Sequence, residues 1–177
     1  MKGIGTDEKL IIEVMGNRSN SQRLKIKDIF KTLYGRDLVE DLKSETSGNF
    51  QKLLTALLLG PVEFDCIEIR KAIQGLGTDN STLIEILTSR SNKRIKDISQ
   101  LYNQLYKKKM EDDIMSDTSG AYKKILSSIL VASRPETNEV DMNQVNEDVD
   151  ELIKAGVKKW GTDESKFNMI FGTRRFI

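Results

Sequence analysis

The chain has 177 residues, 38% of them apolar and 31% charged, with a formal net charge of +1. That composition excludes a disordered polymer and a protein built mainly to neutralise nucleic-acid phosphates, and no apolar run reaches the roughly 18 residues a bilayer-crossing helix needs. There is no histidine and only one cysteine, Cys66, which removes the commonest general base, the serine-type triad, imidazole zinc sites and any intrachain disulfide.

Taken in order, the chain reads as helices. Thr6 is the expected N-cap of the first, with Asp7 and Glu8 at the positive end of its dipole and Ile11, Ile12, Val14 and Met15 as its apolar side. Ile26, Ile29, Phe30, Leu33 and Tyr34 then follow the i, i+3, i+4, i+7, i+8 spacing until Gly35. A short helix is expected near 37–43. Phe50, Leu53, Leu54, Leu57 and Leu58 carry another, which Gly60 and Pro61 end. A leading helix from Pro61 to about Gln74 opens a second block, followed by helices around Leu83–Leu87, Ile98–Tyr106, 110–115 and Tyr122–Leu130. A polar linker with Pro135 covers 132–144. A helix near 145–155 and another from about Asp163 complete the reading. No segment reads as a strand, so the expected class is all-α.

The second block copies the first. Placing residue i against i+72 aligns 3–54 with 75–126 without a gap: GIGTD at Gly3 with GLGTD at Gly75, Arg18-Ser19-Asn20 with Arg90-Ser91-Asn92, Leu33-Tyr34 with Leu105-Tyr106. A partial copy, WGTD, stands at Trp160. A period this long is a repeated domain rather than a small solenoid unit. In both full copies an acid followed by Thr-Ser-Gly comes 40 residues after the second glycine: Glu45 after Gly5, and Asp117 after Gly77.

By itself a GxGTD stretch is a turn between helices, with glycine at positive φ and threonine as a cap. Glu45 and Asp117 are then caps of the closing helix, together with Thr46 and Thr118. The acid kept twice at one spacing favours a second reading. Carbonyls freed by the glycines, plus one carboxylate from a neighbouring turn, form a hard oxygen site suited to calcium, which takes six to eight oxygens in flexible geometry. Such a set leaves positions for water or an outside anion such as a lipid phosphate, so ion and anion strengthen each other's binding. No EF-hand loop, P-loop or dinucleotide fingerprint is present.

The glycine loops, the RSN triplets, GRDLVEDLKSETSGNF, EDDIMSDTSGAY and KKWGTDESKFNMIFGTR resemble annexin repeats over nearly the whole chain. The resemblance implies an all-α fold of annexin-like repeats of five helices each, about two and a half of them present: 1–60 as a first repeat lacking its leading helix, 61–133 as a complete second, and 134–177 as a linker and the first half of a third. The family has four, so the chain is expected to be a fragment, a splice form or an incomplete gene model. The resemblance also implies calcium-dependent binding to anionic phospholipid. The first calcium site would use the carbonyls of Met1, Gly3 and Gly5 with the Glu45 carboxylate, and the second those of Ile73, Gly75 and Gly77 with Asp117. A third would have only the carbonyls of Lys159 and Gly161, its acid falling beyond Ile177. Trp160 either packs over its own loop or enters the membrane interface, where tryptophan is favoured.

Other residues read more plainly. Lys107-Lys108-Lys109 is a solvated helix end, Cys66 a small buried apolar residue, and Asp112-Asp113 a pair of solvated charges. The expected protein is a non-enzymatic, cytoplasmic one whose partner is an anionic phospholipid membrane surface, with calcium as its only cofactor and no nucleic acid. The competing reading is a calcium-independent helical scaffold whose exposed apolar faces bind protein partners or a second copy.

Overall fold

A computed structural model of the chain describes residues 5–137, 139–158 and 160–174, and among these it has eleven α-helices and no strand. The chain divides into two units, Met1–Phe64 and Asp65–Ile177.

In the first unit α1 (Glu8–Gly16), α2 (Asn20–Tyr34), α3 (Leu38–Glu45) and α4 (Gly48–Leu57) enclose Met15, Leu38, Leu42, Leu54 and Leu58. Ile26 and Phe30 of α2 lie against this core, as their spacing predicts. Leu33 and Tyr34, on the same periodic series, stay 68% and 65% exposed. The polar side of α2 does as much as its apolar one. Arg23 donates to the carbonyls of Met15 and Leu57, Lys27 to that of Leu58 and Asn20 to that of Leu59. These oxygens lie at the C-terminal ends of α1 and α4, where helices have no partners of their own. Ser19 and Gln22 form a reciprocal capping box at the start of α2.

The second unit repeats the plan with one helix added in front and two after it. The boundary between the units falls inside α5 (Pro61–Ala72), which is followed by α6 (Asn80–Ser89), α7 (Asn92–Tyr106), α8 (Met110–Asp117) and α9 (Gly120–Leu130). Cys66 and Ile69 of α5, Leu83 and Leu87 of α6, Ile95, Ile98 and Tyr102 of α7, and Met110 and Ile114 of α8 are almost wholly enclosed. Cys66 is buried, in keeping with its apolar reading. Asp65, 1% exposed, receives a two-pronged contact from Arg90, at 2.8 Å to each oxygen, which locks α5 to the end of α6.

Residues 131–141 then lead to α10 (Met142–Ala155) and α11 (Glu164–Thr173). Asp148 and Arg174 form the same clamp that Asp65 and Arg90 form, at 2.6 and 2.8 Å. α11 packs along α9, where Asn168 donates to the Ala121 carbonyl. A Cβ at Gly172 would come within 2.7 Å of Ser128, so only glycine lets these helices approach so closely. Val145, Val149 and Ile153 of α10 stay exposed.

The two units end their long helices differently. Gly35 caps α2 at φ 64°, whereas Lys107 caps α7 at φ 56°, in the left-handed region where a side chain is strained. Lys107→Gly is therefore expected to stabilise the protein by about 0.5–1 kcal/mol, after allowing for the extra freedom glycine gains on unfolding. Thermal unfolding will read this as a rise of roughly 2 °C in Tm.

Candidate functional site

The second glycine loop joins α5 to α6. The Asp79 amide donates to the Ala72 carbonyl at 2.8 Å and closes the loop on itself. Gly75 and Gly77 take φ values of 116° and 87°, which L side chains rarely adopt. Leu76 between them is thrown wholly into solvent. Among the described residues no hydrogen bond ends on the carbonyls of Ile73, Gly75 or Gly77.

Asp79, not Thr78, caps α6, accepting from the Thr82 amide at 3.1 Å and hydroxyl at 2.9 Å. Those donors hold its carboxyl below the usual range and occupy it. Asp7 caps α1 in the same way. The expectation that Thr6 is the N-cap is corrected here, because the residue after it has the capping geometry and a carboxylate accepts more strongly than a hydroxyl.

That frees the threonines for another task. The Thr78 hydroxyl lies 2.7 Å from Asp117 Oδ2 and 2.8 Å from the Asp117 carbonyl oxygen. The Thr6 hydroxyl lies 2.8 Å from Glu45 Oε2 and 3.1 Å from the Glu45 carbonyl oxygen. In each unit one hydroxyl thus ties the glycine loop to the acid 39 residues away. Sequence reading paired loop and acid but missed the threonine that joins them. Its signal was the identical residue beside the last glycine of both loops.

Neither acid caps the following helix. Glu45 and Asp117 are the last residues of α3 and α8, while α4 and α9 begin after Ser47 and Ser119, with no side-chain cap. A carboxylate at the negative end of a helix dipole is disfavoured by roughly 0.3–1 kcal/mol. The same place, lined by carbonyls, favours a cation. Among the described residues no group of three or more His, Cys, Asp or Glu is placed to hold a metal. The available donors are one carboxylate oxygen beyond the threonine's and a set of uncommitted carbonyls, which suit a hard, oxygen-seeking cation.

The structure places Thr6, the residue after Gly5, against Glu45, and Thr78, the residue after Gly77, against Asp117. Met1, Gly3 and Lys159 lie outside the described residues. In the third loop the Asp163 amide donates to the Ala155 carbonyl at 2.7 Å, Gly161 takes φ 86°, and the side chain of Trp160 stands wholly in solvent rather than over its own loop.

The reading of Asp113 as a solvated charge is also corrected. Its side chain, 17% exposed, takes Arg70 at 2.9 Å and the Tyr102 hydroxyl at 2.7 Å. A helix-surface position becomes an inside one because α5 and α7 both lie against it.

A profile of the annexin family matches residues 1–57 and 64–129. Annexin A11 of Oryctolagus cuniculus is 51% identical over 98% of this chain and 35% of its own length. Annexin A5 of Bos taurus is 47% identical over 98% of this chain and 54% of its own. A solved structure of annexin III superposes with a TM-score of 0.92 at 44% identity, over 98% of this chain and 54% of that one. A calcium-bound annexin (Sm)1 superposes at 0.80 with 28% identity, over 98% and 53%. The chain therefore spans about a third to a half of the relatives it matches.

Two outcomes follow. Thr78→Val is expected to cost about 1 kcal/mol in chelator, read by thermal unfolding, because Asp117 loses its donor but keeps access to water. Burial, aided by Asp113, pushes the Tyr102 phenol from 10.0 up to about 12. A raised folded-state value means the stabilisation is complete below pH 10 and is lost as pH climbs through 12. Ultraviolet titration of the tyrosines will show a last step near there, absent in Tyr102→Phe.

Proposed function

The chain belongs to the annexin family, whose members generally bind phospholipid in a calcium-dependent way, and from that premise we propose that it holds calcium at its glycine loops and docks through that calcium on anionic phospholipid. In the second unit the carbonyls of Ile73, Gly75 and Gly77 and the carboxylate of Asp117 hold the ion. In the first, Gly5 and Glu45 do so, with Met1 and Gly3 completing the set. In the third loop the carbonyls of Lys159 and Gly161 are the candidate donors.

The observation that carries the reading is the duplicated threonine bridge. One hydroxyl in each unit holds an acid at a helix C-terminus against the residue that follows a glycine loop, and in the second loop the carbonyls of Ile73, Gly75 and Gly77 have no other partner among the described residues. Calcium bound there contributes two positive charges next to the carboxylate and leaves coordination positions open. The chain's own part is to present oxygens and keep the ion exposed, while a phosphate oxygen of the lipid takes an open position. Ion and lipid then bind cooperatively, each raising the other's affinity by the same factor. Leu76 and Trp160 stand fully in solvent at their loop tips, and Trp160 enters the interfacial zone on docking. No catalysis is assigned, and the protein is read as a cytoplasmic one that reaches the membrane when calcium rises.

A second reading has one observation in its favour. Val145, Val149 and Ile153 form an exposed apolar stripe on α10, which suits a protein partner or another copy of the chain, without calcium.

Sedimentation with phosphatidylserine–phosphatidylcholine vesicles separates the two. The native chain is expected to pellet with calcium and to stay in solution with chelator. A Glu45→Gln, Asp117→Asn double variant is expected to need at least about tenfold more calcium. The single tryptophan is expected to shift its emission to the blue on docking. Binding that survives both chelation and the double substitution would favour the scaffold reading instead.

A further inference from the structure

Each half of the second site hangs from the end of a helix. Arg70 lies half a turn before Ala72, whose carbonyl closes the glycine loop, and Asp113 lies one turn before Asp117 on α8. One guanidinium joins these two ends. Arg70 Nη1 donates to Asp113 Oδ2 at 2.9 Å and to the Tyr102 oxygen at 3.0 Å, while the Tyr102 hydroxyl donates to the same Asp113 oxygen at 2.7 Å. The Arg70 guanidinium carbon also sits 5.3 Å from the centre of the Tyr106 ring, a cation–π distance. Lys108 approaches the other Asp113 oxygen at 3.8 Å. Tyr102 has no exposed surface, so this bracket is backed by close-packed core and has little room to shift.

In the first unit α2 and α3 are the counterparts of α7 and α8, and they make no such bracket. In place of Tyr102 stands Phe30, which has no hydroxyl. In place of Tyr106 stands Tyr34, 65% exposed. In place of Asp113 stands Asp41, whose partner is Arg36, with a 60% exposed side chain in the turn just before α3. That pair ties α3 to its own approach and not to the segment carrying the glycine loop.

We infer that Arg70 is a positioning residue for the second site: by holding the end of α5 against the end of α8 it sets the separation of the loop carbonyls and Asp117 before a cation arrives. This rests on the calcium reading above. Donors already in place lose less freedom on binding, so the site at Gly75 and Asp117 takes a divalent cation more tightly than the site at Gly5 and Glu45.

The test is calorimetric titration of the full chain with calcium chloride in the presence of short-chain phosphatidylserine, in two backgrounds. Glu45→Gln leaves the second site to report, and Asp117→Asn leaves the first. With Arg70 intact, the Glu45→Gln protein is expected to bind more tightly than the Asp117→Asn protein. Arg70→Met in the Glu45→Gln background is expected to weaken binding about tenfold, the lower end of what loss of a ligand's supporting group does. Arg70→Lys, which keeps charge and donors, is expected to recover most of that loss. In the Asp117→Asn background Arg70→Met is expected to change nothing. Tyr102→Phe removes only the hydroxyl and is expected to weaken the second site in the same direction by less, which keeps the test decisive should Arg70→Met not fold. Equal weakening in both backgrounds, or a lower calcium-free Tm with unchanged calcium affinity, would overturn the inference. No calcium uptake at all by the Glu45→Gln protein with Arg70 intact would overturn the calcium reading, and this inference with it.

Discussion

A single hydrogen bond made twice organises this molecule: a threonine hydroxyl beside the last glycine of a loop, held against an acid 39 residues further on. Its strength is modest, since a hydrogen bond to a part-exposed carboxylate is worth on the order of 1 kcal/mol net. Its importance is geometric. The acid ends one helix and the glycine loop precedes another, and neither position alone gathers oxygen donors. Bridged, they put a carboxylate, a helix's negative end and uncommitted carbonyls in one place. Such an arrangement has an electrostatic deficit that a cation relieves.

The rest of each unit keeps that bridge in register. In the first unit Arg23, Lys27 and Asn20 satisfy the carbonyl ends of α1 and α4 from the polar side of α2. In the second, Asp65 and Arg90 fasten α5 to α6, while Arg70, Tyr102 and Asp113 fasten α5 to α8. The glycine loop lies between the helices these contacts hold. Asp148 and Arg174 repeat the first of these fastenings further along. Near-identical loops are thus supported by different polar networks. Duplicated binding elements need not be equivalent, because what surrounds a loop decides how much order it has before its ligand arrives.

Much of this was legible beforehand. The 3.6-residue periodicity of Ile26 to Tyr34 and of Ile98 to Tyr106 marked the long helices. Glycines and prolines marked the ends, and the 72-residue offset revealed the duplication. The coupling of glycine loop and acid could be read because it recurs at one spacing. Two details resisted. Thr6 and Thr78 were assigned as caps because a threonine before two acidic or polar residues fits that rule locally; the adjoining aspartate does so better, and only the fold supplies Glu45 or Asp117 as the alternative partner. Asp113 reads as solvated because it pairs with Asp112 at a surface-type helical position, whereas its real neighbours come from α5 and α7.

The sequence by itself thus determined the helical class, the repeat, the family and which loop belongs with which acid. Each depends on short-range propensity or on self-similarity, and both are written along the chain. The tertiary structure decided which side chain makes the link and which carboxylates are spent on caps or clamps. Those outcomes are competitions among donors and acceptors far apart in sequence. Their winners are set by distances of a few tenths of an ångström that only packing defines.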